Sequence, residues 1–271
     1  MEQEYRVGKP LGEAERFHLY ECVLPDKTVS ILKIAKTPDD NGALDREAFV
    51  LQLLQAEAVR LESKYAAVKS DPNDFLNYQL CFPNLVENLL ADDQDGRRGN
   101  VVNFPQVQDD LGRLVPLSQL AEKARVRVDP KTSAWILGKL LKLLSFAHNQ
   151  GISVGQLTGD NILIEQAQHY VTVFDWSQAN SGHGSKVPPS IAREEISQVA
   201  SAVILALGGD PETGWLPPDE QLIDDYQYAE FLHRLACGGE ADANQAHEQF
   251  YGLIWSLWPR EFHPFTTYQL T

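Results

Sequence analysis

The N-terminal stretch reads as short apolar runs broken by polar turns. Tyr5–Leu11 and Phe17–Leu24 are two such runs. Pro25, Asp26 and Lys27 mark a turn after the second, so 17–34 reads as a hairpin. On its second arm Val29, Ile31 and Lys33 share one face, because successive strand side chains point to opposite sides. After Asp39, Asp40, Asn41 and Gly42 the period changes. Leu44, Ala48, Leu51, Leu54, Ala58, Leu61, Tyr65 and Val68 recur at intervals of three and four. That spacing predicts a helix with an apolar stripe about seven turns and about 37 Å long. Two further strands are predicted over Leu85–Ala91 and Asn100–Phe104, with a polar turn, Asp92–Gly99, between them.

The pattern then becomes mainly helical. Leu117–Ala124 is a short amphipathic stretch. Ser133–Asn149 carries Ile136, Leu137, Leu140, Leu141, Leu144 and Phe146 on a helical repeat, with Pro130 ahead of it and Gly151 after it. The loop 153–161 follows. Ile162–Glu165 and Tyr170–Phe174 read as a second hairpin around 166–169, and Asp175 ends its second arm. Ile191–Leu207 is a further helix, and 226–257 holds at least two more. No internal repeat or low-complexity segment interrupts this order.

Composition narrows the classes. The chain has 271 residues, 43% of them hydrophobic, enough for one large domain or two small lobes. A formal net charge of −15 repels nucleic acid and anionic lipid, so neither is an expected partner. Cys22, Cys81 and Cys237 are far apart and form no CxxC pair, as in a protein of a reducing cytoplasm. MEQEYRVGK lacks an apolar signal region, and the longest apolar run, near Val199–Leu207, falls short of the roughly 20 residues that span a bilayer. The expectation is a soluble cytoplasmic protein.

Candidate chemistry sits in six stretches. LGEAERFHLY (11–20) keeps Gly12. SILK ends in Lys33, and Glu47 opens the long helix. NVVNFPQVQ (100–108) contains Asn103 and Pro105. VGQLTGDN (154–161) carries Gln156, Asp160 and Asn161, and TVFDWSQ carries Asp175. Pro188-Pro189-Ser190 follows after a short glycine- and serine-rich loop. Taken alone, each has a plain reading: a hairpin, a surface lysine, a solvated first-turn glutamate, a strand-end aspartate.

In this order the stretches resemble the protein kinase family over roughly residues 5–260. The resemblance implies an α+β, bilobal protein kinase-like fold. A strand-rich N-lobe with one long helix would cover 1–106, and a mainly helical C-lobe 107–271. Gly12 would belong to the phosphate-covering loop, where Ala14 and Phe17 replace further glycines. Lys33 and Glu47 would be the pair that orients nucleotide phosphates. Asn103 and Pro105 would lie in the adenine-binding hinge, but Pro105 has no N–H to donate, a loss of about 1 kcal/mol. Asn161 and Asp175 would supply oxygen ligands to Mg²⁺.

Departures from the family pattern fall on the reacting groups. Val154 replaces the catalytic-loop histidine, and Gln156 replaces the aspartate that accepts the substrate proton, which an amide cannot do. Ser177 replaces the glycine after Asp175 and Trp176. The resemblance therefore implies a pseudokinase that keeps ATP with Mg²⁺ in the interlobe cleft and acts through a protein partner or allostery. The helix Leu44–Val68 is the expected partner surface, unless 55–82 folds back on its own lobe. Two alternatives stand beside this. One is an active phosphotransferase with a displaced base, for which Asp160 is the candidate. The other is a scaffold that binds no nucleotide, for which Ile31, Pro105, Phe17, Glu13 and Glu15 argue.

Overall fold

The computed structural model describes residues 5–72, 74–91, 96–107, 109–218 and 226–270. The chain divides into two compact units. One comprises Met1–Leu114 with Phe174–Ala179, and the other Val115–Val173 with Asn180–Thr271.

The first unit is an antiparallel five-stranded sheet with one long helix. The strands are β1 (Arg6–Glu13), β2 (Phe17–Val23), β3 (Val29–Ala35), β4 (Asn84–Leu90) and β5 (Arg98–Asn103), in the order β1-β2-β3-β5-β4. The β2–β3 turn is the expected one: Asp26 accepts from the Thr28 N–H at 2.9 Å, and Lys27 takes a positive φ of 73°. β1 is an exposed edge strand, so its apolar residues cover little. Central β3 is buried on both faces. Leu32 joins Cys22, Leu24 and Val101 in one cluster, while Phe17 and Ala35 pack with Leu44 of the helix in another. Of the polar turn expected over Asp92–Gly99, residues 92–95 lie outside the described residues, and Arg98 and Gly99 already belong to β5.

Helix α1 (Asn41–Ala66) has 26 residues and is about 39 Å long. Its stripe is buried from Leu44 through Ala58, and Leu61 and Tyr65 are half-buried. Val68, in phase with that stripe, lies beyond the helix and is 76% exposed. The following segment returns to the helix end. Glu62 accepts from the backbone N–H groups of Leu76 and Asn77 at 3.2 and 3.0 Å, and the Tyr65 hydroxyl donates to Asp74.

The second unit is mostly helical. Helix α2 (Ser118–Glu122) is followed by α3 (Pro130–His148), α4 (Pro189–Ala206), α5 (Tyr226–Ala236) and α6 (Ala243–Leu257). α3 starts three residues before the expected Ser133. Asp129 caps it by accepting from the Thr132 N–H at 2.8 Å, and Pro130 supplies the first helical position. α3 packs on α4 and α6, and α4 on α5. The hairpin β8 (Ile162–Glu165) and β9 (Tyr170–Val173) is extended by β6 (Val115–Pro116). A ribbon of β7 (Val126–Val128) and β10 (Thr267–Gln269) was not apparent from the sequence. After α3, Gly151 has φ of 67°, and a Cβ there would lie 2.0 Å from the Gly184 carbonyl oxygen, so only glycine fits. Among the described residues, no helix is long and apolar enough to cross a membrane.

Candidate functional site

In the first unit, Lys33, Glu47 and Asp175 form one ionic cluster. β3 aims Lys33 at the second turn of α1. Its Nζ donates to Glu47 Oε1 at 2.5 Å and to Asp175 Oδ1 at 3.3 Å. Glu47 is fully buried and accepts two more hydrogen bonds, from Asn100 Nδ2 at 2.9 Å and from the Trp176 N–H at 3.1 Å. Asn100 Nδ2 also donates to the Leu44 carbonyl at 2.9 Å, which ties β5 to α1. Asp175 Oδ1 accepts from the Ser177 N–H at 3.0 Å, and Oδ2 from the Ser177 hydroxyl at 3.1 Å. Arg46 holds the same segment by donating to the Ser177 carbonyl at 2.9 Å.

One cation shared by two carboxylates splits their proton affinities. Burial pushes the Glu47 carboxyl above its usual range; Lys33 opposes this, and the charge of Asp175 adds to it. Burial also raises Asp175, but Lys33 and the Ser177 hydrogen bonds outweigh it and hold that carboxyl below its usual range.

Aromatic rings complete the enclosure. The Lys33 ammonium lies 4.0 Å from the Phe174 ring centre and 5.0 Å from that of Phe17. Phe17, which stands where the resembled loop has a glycine, is a core residue facing Lys33. The Lys33 side chain has no exposed surface, whereas that of Asp175 is 22% exposed. Neither Asn100 nor Phe174 stood out in the sequence. The one cue for Asn100 was an amide directly before Val101 and Val102 in β5.

The remaining residues expected on nucleotide sit apart from this cluster by their own contacts. Gly12 lies in exposed β1 opposite Leu19. Asn103 ends β5 and accepts from Asn84 Nδ2 at 3.1 Å. Pro105 is the second residue of a tight turn in which the Val107 N–H donates to the Phe104 carbonyl at 2.9 Å. That turn engages the Phe104 carbonyl, and Pro105 offers no donor. Ile31 is buried.

In the second unit, the loop 153–161 is held from α4. The Gly155 N–H, at a φ of 91° that favours glycine, donates to Glu195 Oε1 at 2.6 Å. The Leu157 N–H donates to Gln198 Oε1 at 3.1 Å. The other oxygen of Glu195 pairs with His148 Nε2 at 2.6 Å, so a buried imidazole orients the anchor. Val154 and Leu157 are buried and Gln156 is exposed. Asn161 Nδ2 donates to the Gln156 carbonyl at 2.8 Å, bracing the loop across its width. Asp160, the candidate substitute base, accepts from the Ser118 hydroxyl of α2 at 2.5 Å, so its carboxylate is drawn onto that helix. Nothing local in the sequence marks Gln198 as a partner of this loop.

No protein-family model and no curated protein sequence matches the chain. Solved structures do. The structure of vaccinia related kinase 3 superposes with a TM-score of 0.63 at 17% identity, covering 94% of this chain and 88% of that one. The kinase domain of Mycobacterium tuberculosis PknI does so with a TM-score of 0.54 at 15% identity, covering 92% of this chain and 96% of its own. At such low identity the likeness speaks for architecture and not for activity. With the five-stranded first unit, its long helix and the helical second unit, the chain has a bilobal α+β protein kinase-like fold.

Proposed function

We propose that the chain is a pseudokinase, a kinase-shaped protein that transfers no phosphate and acts by binding a protein partner. The enclosure of Lys33 carries this reading. Its ammonium is engaged by Glu47 and Asp175 and covered by the rings of Phe17 and Phe174. The Lys33–Glu47 pair is the one kinases keep with nucleotide bound; what closes the ammonium to a phosphate oxygen here is the second carboxylate, Asp175, and the two rings that cover it. Asp175 supports the same reading, since each of its oxygens already accepts a protein hydrogen bond. The turn at Pro105 offers adenine no N–H, and Gln156 cannot take a proton. On this reading the cluster does not take up ATP with Mg²⁺, the groups the resemblance implies. The cluster acts instead as a clamp joining β3, β5, α1 and 174–179.

The partner surface we propose is the outer face of α1. Phe49, Leu53 and Ala56 fall on one side of the helix, opposite the buried stripe, and are exposed.

Thermal denaturation of the full chain with millimolar ATP, with and without Mg²⁺, tests the nucleotide part. A ligand that binds only the folded form stabilises it by about 2.7 kcal/mol at 100 times its Kd. No shift is expected for the wild type or for Asp175→Ala. A Mg²⁺-dependent rise that is lost in Asp175→Ala would overturn the proposal in favour of a retained nucleotide site.

A further inference from the structure

The second unit holds a cavity of about 410 Å³, within the range of about 300–1,000 Å³ of small-molecule sites. One side of α3 forms a wall, with Lys131, Ala134, Trp135, Gly138 and Lys139 at helical spacing. The facing wall is the Tyr251, Ile254 and Trp255 side of α6, continued by residues 258–263. Gly138 sets the width between the walls, because a Cβ there would lie 2.8 Å from the Phe250 ring.

Two features go beyond what a packed core needs. The first is a set of partly exposed rings at the cavity wall. Phe262 is 81% exposed, yet it stacks on His169 with centres 4.9 Å apart and planes at 13°. His169 in turn meets Trp135 at 4.8 Å. Burial, then the charges of His263 and Lys139, lowers the His169 pKa, so this ring is neutral near neutral pH. The second feature is charge. Lys131, Lys139 and Arg260 line the cavity with Glu261 as their carboxylate neighbour, in a chain of formal net charge −15. Among the described residues, Lys131 and Lys139 form no ion pair. The Arg260 guanidinium lies 3.7 Å over the Trp255 ring. His263 is already paired, at 2.7 Å, with the buried Asp129.

We propose that this cavity binds a small aromatic carboxylic acid. Its ring lies among Trp135, His169 and Trp255, where offset or edge contacts between π-systems favour a flat ligand over an aliphatic chain. Its carboxylate meets Lys131 and Lys139, which makes the contact a charge-assisted hydrogen bond. The site stands independently of nucleotide, since none of its residues belongs to the Lys33 cluster or to the loop 153–161.

Two fluorescent probes test it on the full chain. 1-Anilinonaphthalene-8-sulfonate is an aromatic anion, and N-phenyl-1-naphthylamine has the same ring system without the charge. One saturable site per chain is expected for the anion, with displacement by 2-naphthoate. The double variant Lys131→Glu, Lys139→Glu should weaken the anion at least about tenfold while leaving the neutral probe within about twofold. If that variant melts early, Lys131→Gln with Lys139→Gln replaces it, with the same expected direction. Three outcomes overturn the proposal: no saturable binding, several equivalent sites per chain, or equal loss of both probes in the lysine variants.

Discussion

Buried ion pairs are expensive to assemble and expensive to break, and Lys33–Glu47 gives a measurable case. In Glu47→Gln the amide keeps an acceptor for the Trp176 N–H, and Asn100 keeps the Leu44 carbonyl, but Lys33 is left with Asp175 at 3.3 Å as its counter-charge. Losing one partner of a fully buried pair costs about 3 kcal/mol. Lys33→Met leaves Glu47 buried without its cation, at a similar cost near pH 8. The sign of its pH dependence follows from the direction of the Glu47 shift. Burial already raises that carboxyl, and removing Lys33 raises it further. A group whose folded pKa is raised contributes stability below its unfolded pKa and loses it as pH rises through the folded one. Lys33→Met is therefore closer to wild type near pH 5 than near pH 8. The double variant removes both charges of the fully buried pair and leaves Asp175, which is part-exposed and held by Ser177, so its cost should stay well below the roughly 6 kcal/mol of two independent losses. Urea unfolding read by tryptophan emission measures this, because Trp176 is fully buried against Phe82 in the same unit. A cost below about 1 kcal/mol for Glu47→Gln, or additive losses in the double variant, would refute the account of the cluster as a clamp.

If the outer face of α1 serves a partner and not the fold, Phe49→Ser and Leu53→Ser each leave the unfolding free energy within about 0.5 kcal/mol of wild type; a larger loss returns that face to the fold. Burial pushes the Cys22 thiol up to about 11 and Cys81 is buried, so a thiol reagent near pH 8 should label Cys237 alone in the native chain and all three cysteines in denaturant. Rapid native labelling of a second thiol would contradict the packing of the first unit.

What could be read from the sequence depended on how local its signal was. The stripe on α1, the β2–β3 hairpin and α3 announce themselves within a few turns of chain. Even so, Val68 kept the phase of the stripe without being helical, because periodicity does not report where the chain folds back. The β7–β10 ribbon pairs Val126–Val128 with Thr267–Gln269, so no local pattern could reveal it. In the ionic cluster, Lys33, Glu47 and Asp175 followed from motif order, and the structure brings them together. Asn100 and Phe17 did not, since their roles are set by contacts across the sheet and by burial. Asp160 was legible as a carboxylate, but Ser118, which holds it, comes 42 residues earlier in the chain.

On the proposed pseudokinase reading, the way the loop 153–161 is held lets its chemistry change without its shape. Glu195 and Gln198 grip it through the backbone N–H groups of Gly155 and Leu157, and Asn161 braces it through the Gln156 carbonyl. None of these hydrogen bonds uses the side chain at position 156. Backbone amides are the same whatever residue carries them, so an aspartate there could be exchanged for glutamine with the loop geometry intact. The same logic applies to Val154, which is buried and needs only to be apolar. The His148–Glu195 pair then takes on the anchoring, as a buried carboxylate with one oxygen on imidazole and the other on the loop. On the pseudokinase reading proposed above, fold and proton transfer rest on different atoms of this loop, and only the first set is kept.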